Sequence, residues 1–276
     1  MKVNNHTLDP FKPYTTEEAE AEGIEFEPPE QRKCRFCGKP LEWVGNRASD
    51  GKLHWLFTKP CGCEGQRAED ERREAEKRHQ QEEERKRSFQ RKLTNAGIAR
   101  MYFDAVVSQK PCIDFVQNYA DGNGRGLYIV GSVGAGKTYE ASAIASSFLW
   151  SGYSVIMCTS LSMLDQIYAN QHGQQTRGIE DFCRADLLLV DDLGKENANQ
   201  WAVTTLFQVV DSRYANLKPT VFTSQYPLQS LLSRMSRSGE RESAKAIVSR
   251  ITGTCDVFEL RNGDRRKMLR GNNALS

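Results

Sequence analysis

Gly126-Leu127-Tyr128-Ile129-Val130-Gly131-Ser132-Val133-Gly134-Ala135-Gly136-Lys137-Thr138 decides the fold of this chain. The last eight residues fit the spacing G-x-x-x-x-G-K-[ST], a loop that cradles phosphate. Glycines let the backbone turn tightly and aim N–H groups at phosphate oxygens. Gly131, Gly134, Ala135, Gly136, Lys137 and Thr138 are the candidate nucleotide-binding residues. Lys137 would reach the β- and γ-phosphates of ATP, and the Thr138 hydroxyl would ligate Mg²⁺. The five residues before the loop read as a short buried strand. After it, Ala141, Ile144, Ala145, Phe148 and Leu149 recur at helical spacing as far as Trp150. A helix that starts at the loop presents its positive end to the anion.

The same alternation continues downstream. Residues 154–158, 185–191 and 219–223 predict strands, and residues 161–170 and 200–217 predict helices. Strands alternating with helices argue for a parallel sheet, whose ligands bind at the carboxyl ends of the strands. Leu187-Leu188-Leu189-Val190-Asp191-Asp192 is an apolar run ending in two acids, the Walker B pattern. Asp191 would hold Mg²⁺ and Asp192 would polarise the attacking water. In many such ATPases the second acid is Glu, one methylene longer, so the shorter reach of Asp192 predicts slow hydrolysis. The polar triplet Thr223-Ser224-Gln225 follows the next strand, where a side chain could sense the γ-phosphate or hold the lytic water. An ordinary strand-end turn would look the same.

Four stretches together resemble the DnaC/DnaI type of replicative helicase loader and the related IstB ATPases, of the AAA+ class. They are Gly131 to Thr138, Asp191-Asp192-Leu193-Gly194, Asp211-Ser212-Arg213-Tyr214 and Pro219 to Gln225. The resemblance spans roughly residues 94–268. It implies an α/β fold, a P-loop AAA+ parallel sheet flanked by helices. It also implies an ATP-driven assembly that places a ring helicase on single-stranded DNA, with the N-terminal extension contacting the helicase. Carried over by position, Lys137 and Thr138 bind nucleotide, and Asp191 and Asp192 serve Mg²⁺ and water. Gln225 takes the sensor position and Arg250 the arginine-finger position, which acts in trans on a neighbouring chain. The family's sensor is usually Asn, so Gln225 puts the rate and coupling of hydrolysis in question, not nucleotide binding. Without the resemblance, Arg250 reads as a surface arginine on a helix. Arg266 matches a second nucleotide sensor or a solvated basic tail.

Upstream, Cys34-Arg35-Phe36-Cys37 is followed by Cys61-Gly62-Cys63. Four thiolates suit a tetrahedral structural Zn²⁺. His54 could replace one thiolate, but it lies within Leu53-His54-Trp55-Leu56-Phe57, which reads as a ribbon strand. A redox pair at Cys34 and Cys37 is the rival, without the thioredoxin-like βαβ pattern it needs. Cys112, Cys158, Cys183 and Cys255 read as reduced, small apolar residues. Arg32, Lys33, Arg35, Lys39, Arg47, Lys52 and Lys59 with Trp43, Trp55 and Phe57 allow nucleic-acid contact, and equally a plain zinc ribbon. In residues 66–93 opposite charges lie four apart, as in Glu69 with Arg73 and Glu74 with Arg78. That predicts a solvated helix, without the apolar seam of a coiled coil, serving as a spacer or a helicase-docking element. The expected organisation is a flexible arm over residues 1–30, a zinc module over 31–65 and a helical linker over 66–93. The ATPase domain then covers 94–268, with a tail over 269–276.

The formal net charge of +2 announces no global basic field. No apolar run approaches the roughly 20 residues of a membrane span, and the N-terminus lacks the apolar core of a signal peptide. The expected setting is cytoplasmic, with ATP, Mg²⁺ and Zn²⁺ as cofactors. The expected partners are a replicative helicase, single-stranded DNA and other copies of the ATPase domain. Two other readings stay open: an IstB-like transposition helper, and a zinc adaptor that binds nucleotide with little hydrolysis.

Overall fold

The computed structural model describes residues 12–48, 51–119, 124–196 and 199–261. It divides into two compact units, Met1–Arg85 and Lys86–Ser276. The first opens with β1 (Pro13–Thr15) and α1 (Thr16–Ala21), followed by β2 (Trp43–Arg47) and β3 (Leu53–Thr58). The three strands form one antiparallel sheet in the order β1-β2-β3. Residues 13–24 therefore belong to a folded element and not to an arm. A capping box explains the start of α1: Glu18 N–H donates to Thr15 Oγ1 at 3.3 Å, and Thr15 N–H donates to the Glu18 carboxylate at 2.8 Å. Tyr14, Ala19, Ile24 and Leu53 then bury one another. Residues 1–11, the expected tail and Arg266 lie outside the described residues.

The charged segment is one helix, α2 (Glu64–Ala96), with Arg73 pairing to Glu69 at 3.2 Å and Arg78 to Glu74 at 3.8 Å. Its last turns change character. Leu93 and Ala96 are buried, and Phe89 meets the edge of Trp150 at 5.1 Å.

In the second unit, α3 (Lys110–Gln117) precedes β4 (Gly126–Val130) and α4 (Lys137–Trp150). β5 (Val155–Thr159), α5 (Ser160–Gln171), α6 (Ile179–Arg184) and β6 (Leu187–Asp191) follow. The unit continues with α7 (Gln200–Ala215), β7 (Thr220–Ser224), α8 (Leu228–Met235), α9 (Arg241–Thr254) and β8 (Cys255–Glu259). The five strands are all parallel, in the order β5-β6-β7-β4-β8. Strand alternation splits the core in two. Leu127, Ile129, Leu187, Leu189 and Val221 pack with Ile144 and Phe148 of α4. Tyr128, Leu188, Val190 and Phe222 pack with Met163, Leu206, Val209 and Ile247 from α5, α7 and α9. Apolar residues on both faces are what a parallel sheet covered on both sides requires.

The Asp211-Ser212-Arg213-Tyr214 stretch has a structural explanation. Arg213 is 1 % exposed. Its guanidinium donates to the carbonyls of Phe182 (2.9 Å), Cys183 (3.2 Å), Ala185 (2.8 Å) and Pro219 (2.6 Å), and to Thr220 Oγ1 (2.8 Å). Burial pulls its pKa down to about 10, which still leaves it charged at neutral pH. One planar fork thus satisfies the end of α6 and the entry to β7, which a lysine point charge could not do. Arg213→Met is expected to strand these acceptors and destabilise the second unit by about 3 kcal/mol or more, as read by denaturant unfolding.

Candidate nucleotide and metal sites

The loop between β4 and α4 turns through Gly134 (φ 83°) and Gly136 (φ 103°), left-handed conformations that strain any side chain. Gly131 N–H donates to the Ser224 carbonyl at 3.2 Å, which fastens the loop to the end of β7. Lys137 is 7 % exposed, and its ammonium folds back over the loop, donating to the carbonyls of Gly131 (3.0 Å) and Ser132 (2.9 Å).

Asp191 ends β6 and is 6 % exposed. The Thr138 hydroxyl donates to its carboxylate, with Oδ2 at 2.9 Å and Oδ1 at 3.2 Å, and the Thr223 hydroxyl donates to Oδ1. Burial pushes the Asp191 carboxyl above the usual carboxylate range, against the opposing pull of the Thr223 bond. A desolvated carboxylate beside a threonine hydroxyl is an all-oxygen donor set that fits Mg²⁺. Asp192 follows at φ 58°; its N–H donates to Thr223 Oγ1 at 3.0 Å and its carboxylate pairs with Lys195 at 2.8 Å. Its side chain is 31 % exposed, so water reaches it.

Two sequence candidates stand apart from this cluster. Gln225 lies past the last residue of β7, and its amide donates to the Tyr226 hydroxyl at 2.6 Å. The member of that polar triplet in contact with the acids is Thr223. Arg250, on α9, donates to Asp211 Oδ1 at 3.0 Å and stacks over the Tyr214 ring at 4.4 Å, all within one chain. A residue the sequence reading passed over is Glu196, 8 % exposed, which accepts from the Ser160 hydroxyl at 2.5 Å and from Gly194 N–H at 3.0 Å. Its only sequence signal is an acid shortly after the Asp191-Asp192 pair.

In the first unit, the sulfurs of Cys34, Cys37, Cys61 and Cys63 lie within 4.8 Å of one another. The separations are 3.7 Å for Cys34–Cys63, 3.4 Å for Cys37–Cys61 and 3.2 Å for Cys34–Cys61. Four sulfurs about 2.3 Å from one zinc would sit about 3.8 Å apart, so the set fits a tetrahedral ion. Cys34 N–H donates to the Lys39 carbonyl at 2.8 Å and Gly38 N–H to the Cys34 carbonyl at 2.9 Å, a tight knuckle. Backbone N–H groups of Cys37 and Phe36 pull the Cys34 thiol down. Against the pull of the Cys63 N–H, the crowded sulfurs of Cys63, Cys34 and Cys37 push the Cys61 thiol up. The metal-free cluster therefore shares its protons, and only a bound cation would hold all four as thiolates. His54 lies on β3, outside this cluster.

A family model described as "IstB-like ATP binding protein" matches residues 71–272. This chain belongs to that family. Among its relatives is the replicative helicase loader DnaI of Bacillus subtilis (strain 168), 27 % identical over 160 residues, covering 55 % of this chain and 51 % of that protein. The replicative helicase loader DnaC of Escherichia coli (strain K12) is 28 % identical over 103 residues, covering 36 % and 42 %. An ATP-binding protein of insertion sequence IS1162 from Pseudomonas fluorescens is 31 % identical over 102 residues, covering 37 % and 44 %. The chain thus spans about half, or less, of the length of these curated relatives. Crystal structures of the DnaC helicase loader and of DnaI share the fold. Their TM-scores are 0.51 and 0.50, at 23 % identity, over 59 % of this chain and 100 % and 95 % of theirs. The second unit of this IstB-like protein therefore has the fold of those structures, and its described residues lie within the stretch matched by the ATP-binding family. Among the described residues, no helix is long and apolar enough to cross a membrane.

The purified IstB-like chain is expected to carry one zinc per chain by elemental analysis. Cys37→Ser or Cys61→Ser should abolish that stoichiometry and unfold the first unit, because its apolar core is small and metal binding would supply much of its folding free energy.

Proposed function

We propose that this chain is an ATP-dependent loader that places a replicative helicase on single-stranded DNA. The observation that carries the ATPase part is the Asp191 carboxylate gripped by the Thr138 and Thr223 hydroxyls beside a glycine-turned loop. The relatives named as helicase loaders support the rest, as does a separate N-terminal unit with its own core.

Each residue has a role in this reading. Loop N–H groups bind phosphate, and Lys137 exchanges the Gly131 and Ser132 carbonyls for β- and γ-phosphate oxygens. Thr138 and Asp191 would hold Mg²⁺, which neutralises charge on the phosphates when bound. Asp192, open to water, orients the attacking molecule. Its pairing with Lys195 and its short side chain fit slow, partner-stimulated turnover. Arg250 serves a neighbouring chain's nucleotide after leaving Asp211 and Tyr214, and Gln225 senses phosphate after leaving Tyr226. Residues 31–65 form the zinc module that meets the helicase or DNA, 66–93 the linker helix and 94–268 the ATPase domain. The family description and the insertion-sequence relative support a second reading, a transposition helper that organises duplex DNA.

Lys137→Ala is expected to weaken ATP–Mg²⁺ binding at least about tenfold, ~1.4 kcal/mol, by calorimetry. Arg250→Ala should lower turnover in assemblies and leave ATP binding by the isolated chain unchanged; wild-type turnover would remove it from the site. In a reconstitution, the full chain with ATP should capture a replicative helicase and deposit it on single-stranded DNA. ATP-dependent assembly on duplex DNA without helicase capture would favour the transposition helper.

A further inference from the structure

Three carboxylates fall within six residues of chain, Asp191, Asp192 and Glu196, and the reading above uses two. Glu196 is the surplus one. It is buried, and among the described residues its partners are neutral donors: the Gly194 N–H at 3.0 and 3.2 Å and the Ser160 hydroxyl at 2.5 Å. A carboxylate kept from water is costly to stability unless well bonded. Closing a turn does not by itself require that charge.

An ionised carboxylate only accepts, so it fixes the direction of the bonds around it. Ser160 has a single hydroxyl proton. Glu196 at 2.5 Å takes it in preference to the Asp192 carbonyl at 3.3 Å. The turn on which Asp192 sits is then held from several sides. Lys195 N–H donates to the Asp192 carbonyl at 3.2 Å and Leu193 N–H to the Thr223 carbonyl at 2.8 Å. Gly194, at φ 92°, is gripped at both ends of its peptide groups. Its N–H goes to Glu196, and its carbonyl accepts from Arg234 Nε at 3.0 Å, while the Arg234 guanidinium rests on the Tyr226 ring at 4.3 Å. A Cβ at Gly194 would meet Leu231 at 2.8 Å and Tyr226 at 3.0 Å, so the close packing and the positive φ both favour glycine there. Asp192 sits at φ 58°, a left-handed backbone that aspartate tolerates better than most residues, and these bonds select it over the alternatives.

We propose that Glu196 is a positioning residue for Asp192: by holding Gly194 N–H and the Ser160 hydroxyl, it maintains the left-handed backbone from which the Asp192 carboxylate projects. This rests on the reading of Asp192 as the acid that orients the attacking water.

The test uses the full chain with Glu196→Ala, Glu196→Gln and, as a reference, Asp192→Asn. Amide hydrogen exchange without nucleotide reads the brace directly. In Glu196→Ala the Gly194 amide should exchange at least about tenfold faster, while Leu193, bonded to β7, keeps its protection. ATP–Mg²⁺ affinity should stay within about threefold of wild type, and turnover should fall about tenfold to a hundredfold, as expected for a small displacement of a reacting group. Glu196→Gln, whose amide oxygen still accepts from Gly194, should recover protection and most of the turnover. Unchanged Gly194 exchange in Glu196→Ala overturns the proposal, and so does faster exchange with wild-type turnover. Loss of ATP affinity and thermal stability together with turnover assigns Glu196 a purely structural role and also overturns it. If Asp192→Asn turns over like wild type, or wild type shows no turnover, the hydrolytic reading of Asp192 fails and takes the positioning role with it. The exchange data separate that failure from an absent brace.

Discussion

The carboxylate of Asp191 is the point on which the ATPase unit converges. Taking it out of water is unfavourable, and two threonine hydroxyls from different elements offset that cost. Thr138 brings the first turn of α4 against the end of β6, and Thr223 does the same from β7. The strand order makes this possible. β7 lies between β4 and β6, so its last residues reach both the phosphate loop, through the Ser224 carbonyl, and the acids, through Thr223. A sheet in which β4 and β6 were adjacent would offer no strand end at that place. The core serves the same end, since residues alternate between two buried faces and fix the register that puts Thr223 opposite Asp191.

Much of this was legible in the sequence for a definite reason. Central parallel strands are buried on both faces and show up as unbroken apolar runs, as residues 187–190 do. β8 escaped because it is an edge strand: Asp256 and Glu259 interrupt it, Val257 is 51 % exposed, and only Cys255 is buried. Arg213 lies within a motif, yet its partners are backbone carbonyls from two segments, the end of α6 and the entry to β7, with the Thr220 hydroxyl, and no pattern in the sequence announces which carbonyls will be orphaned. Glu196 and Thr223 belong to the same class. Their meaning lies in which donor the fold places opposite them.

The N-terminal unit reads the other way round. The paired cysteines were plain from spacing, and the fold gathers their sulfurs into one cluster. Residues 13–24 were obscured by the prolines around them, and composition argued for an arm. The decisive signal was local, a threonine three residues before a glutamate, which closes both ends of a capping box and lets Tyr14, Ala19 and Ile24 meet Leu53.

The backbone at Asp192 also answers a question raised by its side chain. Many ATPases carry glutamate here, and reach alone would favour the longer acid. At φ 58°, however, the main chain occupies a region in which aspartate and asparagine are at ease and most other residues are not. At this position chain geometry therefore favours aspartate over glutamate, whatever reach would prefer. An exchange to glutamate would lengthen the arm only by bending the shoulder that carries it.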